Sequence, residues 1–177
     1  MVFIIADIAV DESFGLIKAS RTLRDCGVDP KNMRIDTFYN TIRIVVNDLN
    51  KIQCVSKVKG YTTLEIRSVF RCGNIESVFA KAGFVKMPKA FQRIVGYIPI
   101  NDGAVIILRT SKRDVYLAKV CTARRIEPPL PSSTCIVAAN NDADLEKAKK
   151  IAMYLNQLEE MFGNLCQSAS AGGVDNQ

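Results

Sequence analysis

Three strand-like segments separated by two short polar turns lie between residues 93 and 125, and they constrain the fold more than any other feature of the sequence. The segments are rich in Val, Ile and Leu and cover residues 94–100, 104–109 and 115–122. Residues 101–103 (Asn-Asp-Gly) tolerate positive φ and can reverse the chain tightly. Residues 110–114 are polar and few enough for a second hairpin. The spacing therefore predicts an antiparallel meander of three strands.

The sequence also predicts a strand and a helix before the meander, and a long helix after it. Residues 2–10 are almost entirely apolar, which predicts a central strand covered on both faces. Residues 11–13 (Asp-Glu-Ser) supply an N-cap and first-turn negative charge for a helix whose apolar face continues to Cys26. The sequence predicts a helix that Asn141 or Asp142 caps and whose broad apolar stripe of period 3.6 extends to Leu165. The principal helices are thus expected near the two ends of the sequence.

The remaining segments predict shorter elements. They are strands at residues 33–39, 41–46, 53–58, 61–70 and 134–139, a hairpin turn at 59–60, a short helix at 74–83 and a connector at 86–89. Residues 127–133 contain three prolines, and proline has no amide hydrogen to donate to a strand ladder. We therefore predict that this segment is a connector on the surface.

This order of elements indicates an α+β fold. We predict a single domain over residues 1–167, in which a mostly antiparallel sheet with a three-strand meander is packed by an N-terminal helix and a long C-terminal helix. A chain of 177 residues is long enough for one domain with a substantial core. Residues 168–177 are small and polar, which predicts a flexible C-terminal tail.

The charge of the chain favours anionic partners. The formal net charge is +6 and the sequence pI is about 9.1, so nucleic acid or an acidic protein is the expected class of partner. No apolar run approaches the roughly 18 residues that a membrane-spanning helix needs. A signal peptide has a basic region followed by a continuous apolar segment. Residues 1–6 are apolar, but no basic region precedes them and Asp7 interrupts the segment. We therefore predict a cytoplasmic protein with no membrane partner.

The six cysteines are widely spaced, with at least fourteen positions between neighbours. Zinc ribbons and redox dithiols use closely spaced pairs such as Cys-x-x-Cys, and the sequence contains no such pair. Most of the cysteines lie in apolar runs, where free cysteine is a common small core residue. The even number also permits disulfides, and the sequence leaves this choice open.

Histidine is absent from the sequence. This excludes catalytic systems and metal sites that depend on an imidazole group. The sequence also contains neither the Gly-x-x-x-x-Gly-Lys-Ser/Thr phosphate loop nor a Gly-x-Gly-x-x-Gly turn. No cofactor is predicted.

Four carboxylates provide the one enzymatic alternative. Asp7 and Asp11 belong to the first strand and its end, and Asp142 and Asp144 follow the last strand. If these strands were parallel neighbours, the four groups could hold Mg²⁺ for the cleavage of phosphodiesters. Carboxylates at the first turn of a helix also stabilise the helix itself, and this interpretation predicts no metal site.

Basic residues recur along the chain without forming a continuous run. Lys18, Arg21 and Arg24 are spaced by three, which places them near one face of the first helix. A surface that binds phosphate groups requires such grouping. The complete set of candidate residues for binding nucleic acid or an acidic partner is Lys18, Arg21, Arg24, Lys57, Lys59, Arg109, Lys112, Arg113, Arg124 and Arg125.

These observations favour a non-enzymatic binding or assembly protein whose basic surface contacts nucleic acid or an acidic protein. The alternative is a metal-dependent phosphodiesterase or nuclease that uses the carboxylate cluster. The apolar stripe of the C-terminal helix is wide enough to pack on its own sheet and on a second subunit, so a homodimer through this helix is also a hypothesis.

Overall fold

The computed structural model describes residues 1–91, 93–101, 103–122 and 135–175. The helices are α1 (Leu16–Asp25), α2 (Ile75–Ala82) and α3 (Asp142–Asp175), with 3-10 helices at Pro30–Asn32 and Leu49–Lys57. The strands are β1 (Val2–Val10), β2 (Met33–Asp36), β3 (Thr41–Val46), β4 (Gly60–Arg71), β5 (Val85–Phe91), β6 (Ile94–Ile100), β7 (Gly103–Arg109), β8 (Val115–Thr122) and β9 (Val137–Ala138).

The strands form one sheet in the order β2-β3-β1-β4-β8-β7-β6-β5, and β9 pairs with β4. Each strand pair with a described register is antiparallel. The predicted α+β class and the predicted meander are confirmed, since β6, β7 and β8 pair in sequence order. The prediction that β1 is central is also correct, because β1 lies between β3 and β4. Its side chains alternate between buried and more exposed positions, so the predicted burial of both faces is wrong.

The segment predicted as a connector at 86–89 belongs to a strand instead. This strand, β5, pairs with β6 through Val85 and Tyr97 and through Lys86 and Gly96, after which the register shifts. The sequence of β5 includes Pro88, which weakens a strand pattern because proline cannot donate to the ladder. An edge position tolerates proline, and β5 is the last strand in the sheet order.

The predicted strand at 53–58 is wrong, because this region is the second 3-10 helix and the residue after it. Its buried apolar residues Ile52, Val55 and Val58 are spaced by three, as expected for a helix with three residues per turn. Asp48 caps this helix by accepting a hydrogen bond from the amide of Asn50 at 2.9 Å. The predicted hairpin therefore reduces to its second strand, β4.

The first helix begins later than predicted. Helix α1 starts at Leu16 after Gly15, and residues 11–14 form a separate turn. In this turn the carbonyl oxygen of Asp11 accepts hydrogen bonds from the amides of Phe14 and Gly15. Asp11 therefore stabilises a turn rather than the helix. The later helix α3 has the predicted cap, because Asn141 Oδ1 accepts from the amide of Asp144 at 2.8 Å.

The chain divides into two compact units. Unit 1 comprises residues 1–2, 67–135 and 153–177, and unit 2 comprises residues 3–66 and 136–152. Whether the chain behaves as a single domain with a flexible tail from residue 168 stays a prediction. In unit 2 the core includes the buried side chains of Ile4, Ile8, Leu23, Ile42, Ile44 and Leu64.

Five aromatic rings form a continuous series within unit 1. Phe162 of α3 lies 4.9 Å from Phe70 and 5.1 Å from Phe84, measured between ring centroids. Phe70 in turn stacks on Tyr116, and Phe84 stacks on Phe79. These contacts explain how α3 packs on the sheet in this unit.

All six cysteines are paired in disulfides. Cys26–Cys54 lies in unit 2, and Cys72–Cys166 and Cys121–Cys135 lie in unit 1. Five of the six are buried, as the apolar sequence context suggests. The structure thus decides between free thiols and disulfides, a choice that the sequence left open, because cysteines distant in sequence meet in the fold.

Gly60 lies against the backbone of β1, and we expect Gly60→Ala to lower the free energy of unfolding by about 1–3 kcal/mol. A Cβ atom at this position would lie 2.3 Å from the carbonyl oxygen of Ala9 and 3.1 Å from the Cα atom of Val10. Backbone atoms cannot rotate away as a flexible side chain can, so a strand must shift. Chemical denaturation of the variant measures the loss.

Gly163→Ala is the matched control for this substitution. A Cβ atom at Gly163 of α3 would have no neighbouring atom within 4 Å. The replacement should therefore stabilise the protein by about 0.4–1 kcal/mol, because alanine favours a helix and reduces the entropy of the unfolded chain. Equal effects of the two substitutions would contradict the close approach of β4 to β1.

Candidate nucleic-acid interface

Three of the four candidate carboxylates, Asp7, Asp11 and Asp144, each have a separate structural partner. Asp7 of β1 forms a bidentate ion pair with Arg43 of β3, with N–O distances of 2.7 and 3.1 Å. This hydrogen bonding to Asp7 and its charge raise the pKa of Arg43. Asp144 accepts a hydrogen bond from the amide of Asn140 at 3.1 Å, and Asp142 lies in the first turn of α3.

Asp11 is held by its own turn. Its Oδ1 atom accepts hydrogen bonds from the hydroxyl and the amide of Ser13, at 2.9 and 3.1 Å. These bonds, with a smaller contribution from the charge of Lys59, lower the pKa of Asp11. The Lys59 Nζ atom lies 3.7 Å from Asp11 Oδ2. Asp11 therefore has a structural role as a turn and ion-pair residue.

The carboxylates do not converge on a metal site. Within the residues that the structure describes, no group of three or more His, Cys, Asp or Glu side chains could hold a metal ion. The phosphodiesterase alternative requires that β1 and the last strand be parallel neighbours, but β9 pairs with β4 in antiparallel orientation. Asp7, Asp11, Asp142 and Asp144 thus do not support this alternative.

Unit 2 contains the predicted cations of α1 and those near the start of β4. Lys18, Arg21 and Arg24 are exposed, while Ala19 and Leu23 are buried, as the helical spacing predicts. Lys57 and Lys59 are also exposed and follow the buried part of the second 3-10 helix. A hydrogen bond from the Asp11 amide to the Lys59 carbonyl oxygen, at 3.0 Å, links this region to the end of β1. Arg124, Arg125 and the predicted connector at 127–133 lie outside the described residues.

Unit 1 contains a second group of predicted cations in the β7–β8 hairpin. Arg109, Lys112 and Arg113 are exposed and line a concavity of about 340 Å³ formed by residues 109–116. Thr110 Oγ1 fixes the loop by donating to the carbonyl of Val115 at 2.7 Å and accepting from the amide of Lys112 at 3.2 Å. The loop therefore presents three cations and one carboxylate, that of Asp114, around one concave surface.

Residues 37–40 between β2 and β3 form a turn that we call the aromatic turn. The sequence analysis extended the strand to residue 39, with a bulge or turn at Asn40 alone, and so missed the exposure of two aromatic rings. The strand β2 ends at Asp36, and Phe38 and Tyr39 have 85% and 71% of their surfaces exposed. The sequence signal for this turn is the pair Asp36 and Asn40. Both residue types favour turns, because their side chains can bond to nearby backbone groups and they tolerate positive φ. Two adjacent exposed aromatic rings are unusual for a surface without a partner.

The aromatic turn adjoins the basic face of α1. Asn40 shares a hollow of about 600 Å³ with Phe14, Leu16, Ile17, Lys18 and Arg21. The Lys18 Nζ atom lies 4.5 Å from the centroid of the Phe14 ring, in a cation–π contact. Ile17 is 78% exposed. Unit 2 thus has an apolar hollow, with two cations lining it, beside a turn that carries two exposed rings.

Comparison with protein-family models, with curated proteins and with solved structures gives no match for this chain. Among the described helices, none has both the length and the apolar character required to cross a bilayer.

Proposed function

We propose that the protein is a non-enzymatic nucleic-acid-binding protein whose exposed lysines and arginines contact phosphate groups. The observation that carries this proposal is the lack of neutralisation of the predicted cations. Within the described residues, seven of them have no carboxylate oxygen within 4.0 Å, namely Lys18, Arg21, Arg24, Lys57, Arg109, Lys112 and Arg113. Their charge is therefore available to an external anion.

Uncompensated surface cations favour a polyanion for a physical reason. Binding of each phosphate group by a lysine or arginine releases condensed counterions from the nucleic acid, and the affinity then depends strongly on salt concentration. Groups of cations also accelerate the encounter with a polyanion. The net charge of +6 acts in the same direction. The exposed rings of Phe38 and Tyr39 favour nucleic acid over an acidic protein, because bases offer flat faces for stacking.

The test is fluorescence anisotropy with labelled oligonucleotides over a range of salt concentrations. We expect the logarithm of the association constant to fall linearly with the logarithm of salt concentration. The double variants Lys18→Glu/Arg21→Glu and Lys112→Glu/Arg113→Glu should each reduce affinity. For each lost contact, the slope should become shallower by about 0.7 on single strands and about 0.9 on duplexes.

Lys150→Glu is the control, because Lys150 is an exposed lysine of α3 outside both groups of candidate cations. It should reduce affinity less than either double variant. Absence of oligonucleotide binding at low salt would contradict the proposal. Equal affinity for polyglutamate of the same length would also contradict it, and would favour an acidic protein partner.

Dimerisation through α3 is a further proposal from the sequence. The stripe residues Leu145, Ala148, Leu155 and Leu158 are buried in the described chain, so they are covered without a second subunit. Met153, 55% exposed, is the large apolar residue of α3 that a partner could cover. Light scattering would measure the number of subunits.

A cytoplasmic location also stays a proposal, and the disulfides make it testable. Disulfides persist mainly in oxidising compartments, although intracellular proteins of hyperthermophiles are an exception. Three disulfides in a cytoplasmic protein would therefore indicate such a source. Alkylation of thiols during cell lysis, followed by mass spectrometry, would show whether the pairs exist in the cell.

A further inference from the structure

We infer that the turn at residues 37–40 is a stacking platform for unpaired bases, so that the protein prefers single-stranded over duplex nucleic acid. This inference rests on the proposed nucleic-acid binding and specifies its substrate class. Phe38 and Tyr39 supply the platform, and Lys18 and Arg21 of the adjacent hollow supply contacts for phosphate groups.

Hydrogen bonds hold the backbone of the aromatic turn at both of its ends, so a defined turn carries the exposed rings. Asp36 Oδ1 accepts hydrogen bonds from the amides of Phe38 and Tyr39, at 2.9 and 3.0 Å. Asn40 has a φ of 55° and is bonded to Val10 twice, through its side-chain nitrogen at 2.7 Å and its carbonyl oxygen at 3.0 Å. The backbone that carries the rings is therefore fixed at both ends before any ligand binds, and little ordering is required on binding.

The two rings support each other while leaving faces free. Their centroids are 4.8 Å apart and their planes meet at 84°, an edge-to-face arrangement. The edge of one ring contacts the face of the other, so free ring faces are available to bases. Base stacking on such a ring tolerates any sequence because every base has a π face.

The charges beside the aromatic turn indicate which class of ligand binds there. A neutral apolar peptide would match the rings and Ile17, but it would leave Lys18 and Arg21 facing no anion. A single strand matches both features, because it alternates flat bases with phosphate groups along one chain. In a duplex the bases already stack on each other, so few base faces are free to stack on Phe38 and Tyr39. The complementarity therefore favours a single-stranded nucleic acid.

The experiment compares binding of a thymidine oligonucleotide of about 16 nucleotides with binding of a duplex of the same length. The full-length protein should bind the single strand more tightly. Phe38→Ala/Tyr39→Ala should weaken binding of the single strand by about 100-fold, since alanine replacement of one stacking ring typically weakens binding by about 5- to 150-fold. Duplex affinity and the salt slope on the single strand should be unchanged. Because both rings are exposed, the thermal melting temperature should also be unchanged.

Tyr61→Leu is the matched control. Tyr61 is 61% exposed and lies on β4, outside the turn. We expect no more than a twofold change in the affinity of this variant for the single strand. The chain has no tryptophan, so stacking on Tyr39 should also quench the tyrosine fluorescence, and Tyr39→Phe should remove most of this quenching.

Specific outcomes would overturn the inference without affecting the proposed function. These are tighter binding to the duplex, unchanged single-strand affinity of Phe38→Ala/Tyr39→Ala, or equal losses in that variant and in Tyr61→Leu. Binding to phosphatidylserine vesicles that depends on the two rings, while oligonucleotide binding does not, would overturn it in favour of an anionic membrane surface. If the unmodified protein binds neither oligonucleotide at low salt, the proposed function itself fails.

Discussion

Replacing both Cys72 and Cys166 with alanine is expected to lower the free energy of unfolding by about 4 kcal/mol. This disulfide joins the residue after β4 to α3 across 94 positions of the sequence. Without it, the unfolded chain gains the conformational freedom of a long open loop, and the unfolded state becomes more favourable. Alanine avoids leaving a hydroxyl group in the buried positions that the two sulfur atoms occupy. Denaturant titration of the oxidised proteins measures the difference.

Cys26→Ala/Cys54→Ala is the control, because the Cys26–Cys54 disulfide spans 28 positions. From the loop lengths alone, its removal should destabilise the protein by about 1 kcal/mol less than removal of Cys72–Cys166. Thiol titration of the unfolded, unreduced protein should find no free thiol groups. Six titratable thiols, or an unchanged stability of Cys72→Ala/Cys166→Ala, would contradict the observed pairing.

Phe162→Ala should lower the free energy of unfolding by about 3–5 kcal/mol. Phe162 is 1% exposed and is the central ring of the aromatic series in unit 1. Alanine would remove the ring contacts with Phe70 and Phe84 and leave a cavity that the surrounding rigid rings can fill only in part. Phe162→Leu, which fills more of that space, should have a smaller effect. Chemical denaturation followed by circular dichroism measures both variants.

Met153→Ala is the control on the same helix. Met153 is 55% exposed, so its truncation should change stability by no more than about 0.5 kcal/mol. A loss for Phe162→Ala similar to that for Met153→Ala would show that the aromatic series is not a packed core. A large loss for Met153→Ala would instead indicate that this face of α3 is covered in solution, as the dimer hypothesis predicts.

The meander and the long helix were predictable because their signals are local. Turn-favouring residue types at 101–103 and 110–114 of the sequence predicted three strands, and the period of apolar residues after Asn141 predicted a helix with one buried face. The second 3-10 helix and β5 were not predictable in this way. In the region of the second 3-10 helix, three buried residues spaced by three resemble an irregular strand pattern. The segment of β5 has a weak strand pattern of its own and forms a strand by pairing with the edge of β6.

The basic residues of the candidate interface were predictable from the sequence, but the exposed aromatic rings beside them were not. The spacing of Lys18, Arg21 and Arg24 correctly placed them on one exposed face of α1. The aromatic turn was missed because Phe38 and Tyr39 have high strand propensity and were assigned to a strand. Their exposure depends on Asn40 and Val10, which are thirty positions apart and meet only when β3 pairs with β1.

The sequence by itself determined the α+β class, the meander, the principal helices and the excess of positive charge, because turn chemistry, apolar period and composition act over a few residues. The tertiary structure alone decided which cysteines pair, which carboxylates are neutralised and which aromatic rings stay exposed. Each of these outcomes depends on distances between residues that are far apart in the chain. Such distances are set by strand pairing and core packing, which no local pattern encodes.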